Sequence, residues 1–134
     1  MDSLARAHIL EHYHHPHHYG TLPAPDLHVA VDNPLCGDRL QFDFQLGDGV
    51  IRDLAFQGRG CAISQAAASI LADELVGLPL AEAARLTSTD MLDLLDIEIG
   101  PARLKCALLA LQALEQALAQ AGVGREPSAD GGSA

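Results

Sequence analysis

The chain has 134 residues, a formal net charge of −10 and 49% apolar residues, only 4% of the chain being aromatic. This length predicts one domain with a mainly aliphatic core. The negative charge excludes a protein that follows a nucleic-acid backbone, and the lack of a long apolar run or of a signal peptide indicates a cytoplasmic protein away from the membrane.

The chain begins with a predicted helix over residues 3–13, for which Ser3 is a candidate cap. Its apolar stripe is formed by Leu4, Ala7, Ile9, Leu10 and Tyr13. Pro16 ends the helix, and further prolines make residues 20–26 an extended connection, because the residue before a proline disfavours helical geometry.

Three strands are predicted next, at residues 29–31, 39–46 and 50–56. The second strand alternates apolar and polar residues without a fault, as a half-buried strand does. Gly47-Asp48-Gly49 predicts a hairpin turn between the second and third strands. The alternation of the third strand is imperfect, which indicates a bulge.

The second half predicts helices over residues 62–76, 80–86 and 89–95, with Thr87 or Ser88 as the cap of the third, and a last helix from Pro101 to Ala121. Strands followed by helices indicate an α+β fold, a small three-stranded antiparallel sheet with helices packed on one face. We expect a single domain over residues 1–121 and a disordered tail over residues 122–134, which is rich in glycine, serine and acidic residues.

Three cysteines and one aspartate are the strongest functional signal. Cys36, Cys61 and Cys106 come from different parts of the chain, and Asp38 lies two residues after the first. An odd number of cysteines in a cytosolic chain favours reactive thiols or metal ligands over disulfides. Three thiolates and a carboxylate can hold Zn²⁺ or an iron–sulfur cluster, and the carboxylate weakens binding of soft metals.

The first cysteine lies in a predicted tight turn. Pro34 fixes the backbone before Cys36 and Gly37 frees it afterwards. Two residues apart in extended chain, Cys36 and Asp38 point to the same side and can reach one ion. The alternative, a small buried thiol beside an ordinary turn aspartate, has about equal weight.

The other two cysteines lie near predicted helix starts. Cys61 follows Gly58 and Gly60, and the positive end of the helix dipole favours its thiolate, although it could merely cap the helix. Cys106 lies about 200° around the last helix from Leu104, which predicts a position off the core face. A free surface thiol is the less attractive alternative there.

A histidine-rich segment ends the first helix. Its members are His12, His14, His15, His17 and His18. Such tracts can bind metal, but Pro16 breaks their register, so a solvated loop is the favoured interpretation.

These motifs together resemble the IscU/SufU/NifU N-terminal family of iron–sulfur cluster assembly proteins. The resemblance covers residues 3 to 121. It rests on the segments 9–20, 33–38, 58–64 and 103–107 in this order. It implies that Cys36, Asp38, Cys61 and Cys106 converge at one exposed end of a compact α+β fold. It also implies that a cysteine desulfurase of the SufS or IscS type supplies sulfur as a persulfide.

Two branches of that family are mixed in this sequence. Lys105 stands before the last cysteine, as in the SufU branch, where IscU proteins have histidine. The 44 residues between Cys61 and Cys106 are closer to the IscU length, because SufU proteins usually carry an insertion there.

The resemblance predicts a scaffold and sulfur acceptor that binds Zn²⁺ as isolated and iron or a [2Fe–2S] cluster in use, through Cys36, Asp38, Cys61 and Cys106. Cys36 is the expected persulfide acceptor, with Cys106 as the alternative. Recipient apo-proteins or cluster carriers are the expected further partners. The alternatives are a dedicated zinc-dependent sulfurtransferase without an independent active site, and a structural zinc domain that unfolds on chelation.

Overall fold

A computed structural model of the chain describes residues 3–123. The elements in chain order are α1 (Ser3–His14), β1 (Leu27–Asn33), β2 (Asp38–Gly47), β3 (Val50–Arg59), α2 (Ala62–Leu75), α3 (Leu80–Ala83), α4 (Ser88–Leu95), a 3₁₀ turn (Pro101–Arg103) and α5 (Leu104–Gln120). The predicted α+β class is confirmed. Of the predicted tail over residues 122–134, all but the first two residues lie outside the described range.

The sheet is antiparallel throughout, with β2 in the centre. A two-residue turn joins β2 to β3, and both of its residues have positive φ, 55° at Asp48 and 74° at Gly49. The predicted bulge is present, since Gln45 pairs with Asp53 but Leu46 pairs with Ile51, which leaves Arg52 without a paired residue on β2. A bulge of this kind increases the local twist of the hairpin.

The core lies between one face of the sheet and helices α2 and α5. Leu40, Phe42 and Phe44 project from β2 and are at most 1% exposed, and Phe42 stacks on Phe56 of β3. Most of α2 is buried, and many of its residues are alanines. Small side chains allow close approach, so α2 can pack against α1, α5 and the sheet together.

The buried face of α1 differs from the predicted stripe. Ala5, Ile9 and His12 are buried, whereas Leu4 and Leu10 are 78% and 42% exposed. The prediction assumed an entirely apolar contact. The structure instead buries a histidine, because α2 provides a polar partner for it.

The predicted position of Cys106, off the core face of α5, is wrong. Cys106 is fully buried, and Leu104 is 38% exposed. Leu109 and Ala113, which lie on the same side of the helix as Cys106, are also buried, so the core contacts of α5 extend to that side. The smaller helices follow the predictions more closely, although α3 is shorter, and Thr87 caps α4 through a capping box with Asp90. Within the described part of the chain, none of the helices combines the length and apolarity needed to cross a bilayer.

Candidate metal centre

The turn between β1 and β2 presents Cys36 to solvent. The backbone N–H groups of Cys36 and Gly37 both donate to the carbonyl of Asn33, at 3.2 and 2.9 Å. Gly37 has a φ of 73°, a left-handed conformation that glycine adopts without strain. The thiol of Cys36 is therefore exposed at the tip of a tight turn.

Asp38, at the start of β2, is almost completely buried, with 1% exposure. Its Oδ1 accepts the backbone N–H of Cys61 at 2.8 Å, and Cys61 is the N-cap residue of α2. Gly60 makes this approach possible, because a Cβ at that position would overlap the Asp38 carboxylate. The predicted start of α2 next to Cys61 is thus confirmed. Glycine is needed at position 60 because a larger residue there would clash with Asp38.

The structure brings all four predicted residues together. One ligand atom from each of Cys36, Asp38 and Cys106 lies within 4.8 Å of the other two. The Sγ of Cys61 lies 3.8 Å from Oδ2 of Asp38. Asp38 therefore occupies the middle of the cluster, with a thiol from each of three separate segments around it.

The electrostatics of the cluster favour a cation. Within residues 3–123, Asp38 takes part in none of the ion pairs, and the neighbouring Arg39 pairs with Asp32 at 2.8 Å. A buried charge without a counter-charge is costly. Burial raises the pKa of the Cys106 thiol, and the neighbouring Asp38 and the other two cysteines raise it further.

A metal ion would occupy the place of that thiol proton, because cysteine binds metals as the thiolate. Three sulfur donors and one carboxylate suit four-coordinate Zn²⁺ or an iron–sulfur cluster. The donor set of this structure therefore fits both groups that the sequence suggested.

Two polar residues at the cluster were missed by the sequence analysis. The side-chain amide of Asn33 lies 4.0 Å from Cys106 Sγ, and the Ser64 hydroxyl lies 3.9 Å from Cys61 Sγ. Ser64 stands three residues after the N-cap, a spacing at which capping partners are common. The position of Asn33 has no comparable local signal, because its contact comes from the distant α5.

The histidine segment is only partly the solvated loop that was predicted. His14 and His15 are exposed, but His12 is buried and its Nδ1 lies 2.7 Å from the Ser69 hydroxyl. His17 binds the carboxylate of Asp73 at 2.6 Å. Burial lowers the pKa of His12 most strongly, followed by the charges of the neighbouring His17 and His8.

Fold and cluster together define a small α+β protein with a thiol and carboxylate centre at one end of its sheet, where β1 ends and β2 begins. The family described as NifU-like N terminal domain matches residues 4–122. The chain belongs to this family.

Individual relatives agree with this assignment. The zinc-dependent sulfurtransferase SufU of Bacillus subtilis is 34% identical, over 90% of this chain and 92% of its own. The iron–sulfur cluster assembly scaffold protein IscU of Escherichia coli K12 is 30% identical, over 83% of this chain and 88% of its own. The crystal structure of a NifU-like N-terminal protein from Brucella abortus superposes with a TM-score of 0.69 at 26% identity, covering 84% of this chain and 90% of that one.

The alignment lengths bear on the mixed character of the sequence. The SufU alignment spans 137 positions but uses only 90% of this 134-residue chain, so parts of SufU have no counterpart here. The IscU alignment spans 115 positions and uses 83% of this chain, which leaves room for few gaps. The chain is thus similar in sequence to both relatives, and its alignment with IscU contains fewer gaps than its alignment with SufU.

Proposed function

We propose that this chain is an iron–sulfur cluster assembly protein that accepts sulfur from a cysteine desulfurase and holds a metal ion or a cluster through Cys36, Asp38, Cys61 and Cys106. The observation that carries the proposal is the convergence of three thiols on one buried carboxylate that has no cationic partner among residues 3–123. The relatives named as scaffold and as sulfurtransferase support it.

Cys36 is the proposed sulfur acceptor, because it is the exposed thiol of the three. Its thiolate attacks the outer sulfur of the persulfide on the desulfurase. The sulfur–sulfur bond of the donor breaks, the desulfurase cysteine leaves as a thiolate, and Cys36 becomes the persulfide. Cys106 is a poorer acceptor, because its fully buried sulfur cannot meet a second protein without local opening.

A resident Zn²⁺ would keep the cysteines deprotonated and hold their sulfur atoms at one place. The residues of this chain determine how easily that arrangement changes. Asp38 contributes a hard oxygen donor among soft sulfurs, which lowers the affinity for soft metals. The turn at Gly37 gives Cys36 freedom to leave the cluster while the more enclosed thiols stay in place.

The same residues can also hold a [2Fe–2S] cluster as cargo for transfer to recipient apo-proteins or carriers. The SufU-like Lys105 favours sulfur relay, in which the chain is a zinc-dependent sulfurtransferase acting with its desulfurase. The IscU-like length favours cluster assembly. Exposed Leu35 beside Cys36 offers an apolar contact for the desulfurase, since the residue is 81% exposed.

Metal and sulfide analysis tests the proposal directly. The protein is purified without oxygen and without a nickel column, and zinc, iron and acid-labile sulfide are measured per chain. About one zinc per chain, with no colour, supports sulfur relay. Equal amounts of iron and sulfide with visible absorbance support a scaffold. Neither metal, with three free thiols in a folded protein, would contradict the four-ligand centre.

The acceptor assignment is tested with the desulfurase itself. Cys36→Ser should abolish both persulfide formation on this chain and stimulation of desulfurase turnover, while Cys106→Ser, assayed without oxygen and without added reductant, should leave some persulfide at Cys36. Mass spectrometry of the alkylated chain locates the added sulfur. Persulfide that remains on Cys106 in Cys36→Ser would assign the role to Cys106.

Asp38 is proposed to keep the centre exchangeable. We expect Asp38→Ala to hold a reconstituted cluster several times longer and to transfer it more slowly to an apo-protein, because the labile oxygen donor is gone. Decay of the visible absorbance, with and without an acceptor, measures both effects. An unchanged cluster lifetime would rule out this role of Asp38.

A further inference from the structure

A second group of metal-binding side chains lies toward the other end of α2. His12 comes from α1, His17 from the loop that follows it, and Asp73 from the last turn of α2. One ring nitrogen of each histidine and one carboxylate oxygen lie within 4.8 Å of one another. Asp73 is separated from Cys61 by about 18 Å along the helix, at about 1.5 Å per residue. The two groups are therefore separate.

Ser69 holds the two histidines of this group in place. Its buried hydroxyl oxygen accepts the backbone N–H of His17 at 2.7 Å and lies 2.7 Å from Nδ1 of His12. When His12 donates Nδ1–H to this oxygen, its Nε2 keeps a free lone pair for an ion. Metal-bound histidines are commonly oriented in this way by a hydrogen bond from the other ring nitrogen.

The carboxylate is positioned from a second direction. Asp73 Oδ2 lies 2.6 Å from His17 Nδ1, and Oδ1 lies 3.2 Å from His18 Nε2. The rings of His12 and His17 are 4.5 Å apart between centroids. His17 and Asp73 are about half exposed, so an ion can enter from solvent and keep water as a further ligand.

We propose that His12, His17 and Asp73 bind one divalent transition-metal ion of the class that prefers imidazole, such as Zn²⁺ or Co²⁺. Two imidazoles and a carboxylate are typical ligands of these ions, whereas iron–sulfur clusters prefer thiolate ligands. When His17 donates Nδ1–H to Asp73, binding of the ion at this nitrogen releases the proton to solvent. The ion would then connect α1, the following loop and α2, and so strengthen the docking of the first helix.

Cobalt distinguishes this site from the thiol centre. The full-length protein receives one equivalent of Zn²⁺ and is then titrated with Co²⁺ without oxygen. We expect one Co²⁺ per chain, weak d–d absorption without intense thiolate-to-cobalt bands, broadening of the ring ¹⁵N signals of His12 and His17, and a higher melting temperature. Intense thiolate bands without ring broadening would overturn the proposal.

Variants at exposed positions test the ligands without endangering the fold. His17→Gln and Asp73→Asn should each weaken cobalt binding by about tenfold or more, since even the loss of an outer hydrogen-bond partner costs that much. Ser69→Ala, at a buried position, should weaken cobalt binding by about tenfold, and its melting temperature without metal checks that the fold is kept. The matched control, His14→Gln with His15→Gln, removes two exposed histidines of the same segment and should change the affinity less than twofold. An equal loss in that control would show unspecific binding and overturn the site.

Discussion

The two groups of polar side chains along α2 differ in the donors they use and in how firmly these are fixed. At the start of the helix, three thiols surround Asp38, and one thiol belongs to an exposed glycine turn. Near the end, Ser69 contacts the His12 imidazole and the His17 backbone N–H, and Asp73 contacts the His17 ring. One arrangement has soft donors and one solvent-exposed member, which suits exchange. The other is harder and tethered, which suits retention.

The largest expected effect separates the two groups by their metal affinity. Cys106→Ser should weaken binding of the first zinc equivalent by about a hundredfold or more, because loss of a direct ligand exceeds the loss of an outer partner. Asp73→Asn should change that affinity less than twofold. Competition with a chromogenic chelator measures both values. If Cys106→Ser binds the first zinc as tightly as the unaltered chain, Cys106 is not a ligand.

A smaller effect, on the free energy of unfolding, is expected for substitution of Gly60, whose backbone lies against Asp38. Gly60→Ala should lower the free energy of unfolding by about 2 kcal/mol or more, because the residue has a φ of 133° and its Cβ would overlap the carboxylate. Urea denaturation of the metal-free protein gives this value.

Gly100→Ala is the matched control, since a Cβ there meets nothing within 4 Å and its φ is −74°. The control should stay within about 1 kcal/mol of the unaltered chain. Equal stability of the two variants would show that Asp38 can move away from Gly60 without cost.

The smallest expected effect concerns pH and the buried His12. Its pKa in the folded chain lies below the ordinary value of 6.5, mainly because of burial. The unfolded chain therefore takes up the proton first as pH falls. The contribution of His12 to stability is complete above about pH 6.5 and is lost as pH decreases from there toward the folded pKa.

Urea denaturation at pH 7.5 and pH 5.5, with a chelator present, tests this dependence. The fall in unfolding free energy should be smaller in His12→Gln than in His14→Gln, whose exposed ring serves as the control. The neighbouring His8, Glu11, His17 and Asp73 are unchanged in both variants. A pH dependence that is the same in both would assign it to other groups.

Local patterns predicted much of the fold because their causes are local. The faultless alternation of 39–46 and the following turn identify the hairpin, and Gly60 identifies the start of α2. The four residues of the candidate centre stand out for the same reason, since cysteine is rare and each lies beside a glycine or a helix start.

Features that depend on distant partners were not predictable. His12 can be buried because its ring forms a hydrogen bond with Ser69, which lies 57 residues further along the chain. The position of Cys106 on α5 was mispredicted for a similar reason, because Leu109 and Ala113, on the same side of the helix as Cys106, are also buried. A sequence pattern identifies the apolar side of a helix, but small residues allow contact over a wider arc.

The long separation between Asn33 and Cys106, 73 residues, has a consequence for synthesis on the ribosome. A growing chain presents Cys36 and Cys61 well before Cys106 and α5 have emerged. Until then, the third thiol and the helix that carries it are missing, so any ion meets only an incomplete and loosely held set of donors. For the proposed four-ligand centre, tight capture of metal therefore requires Cys106 and must wait until most of the polypeptide has been translated.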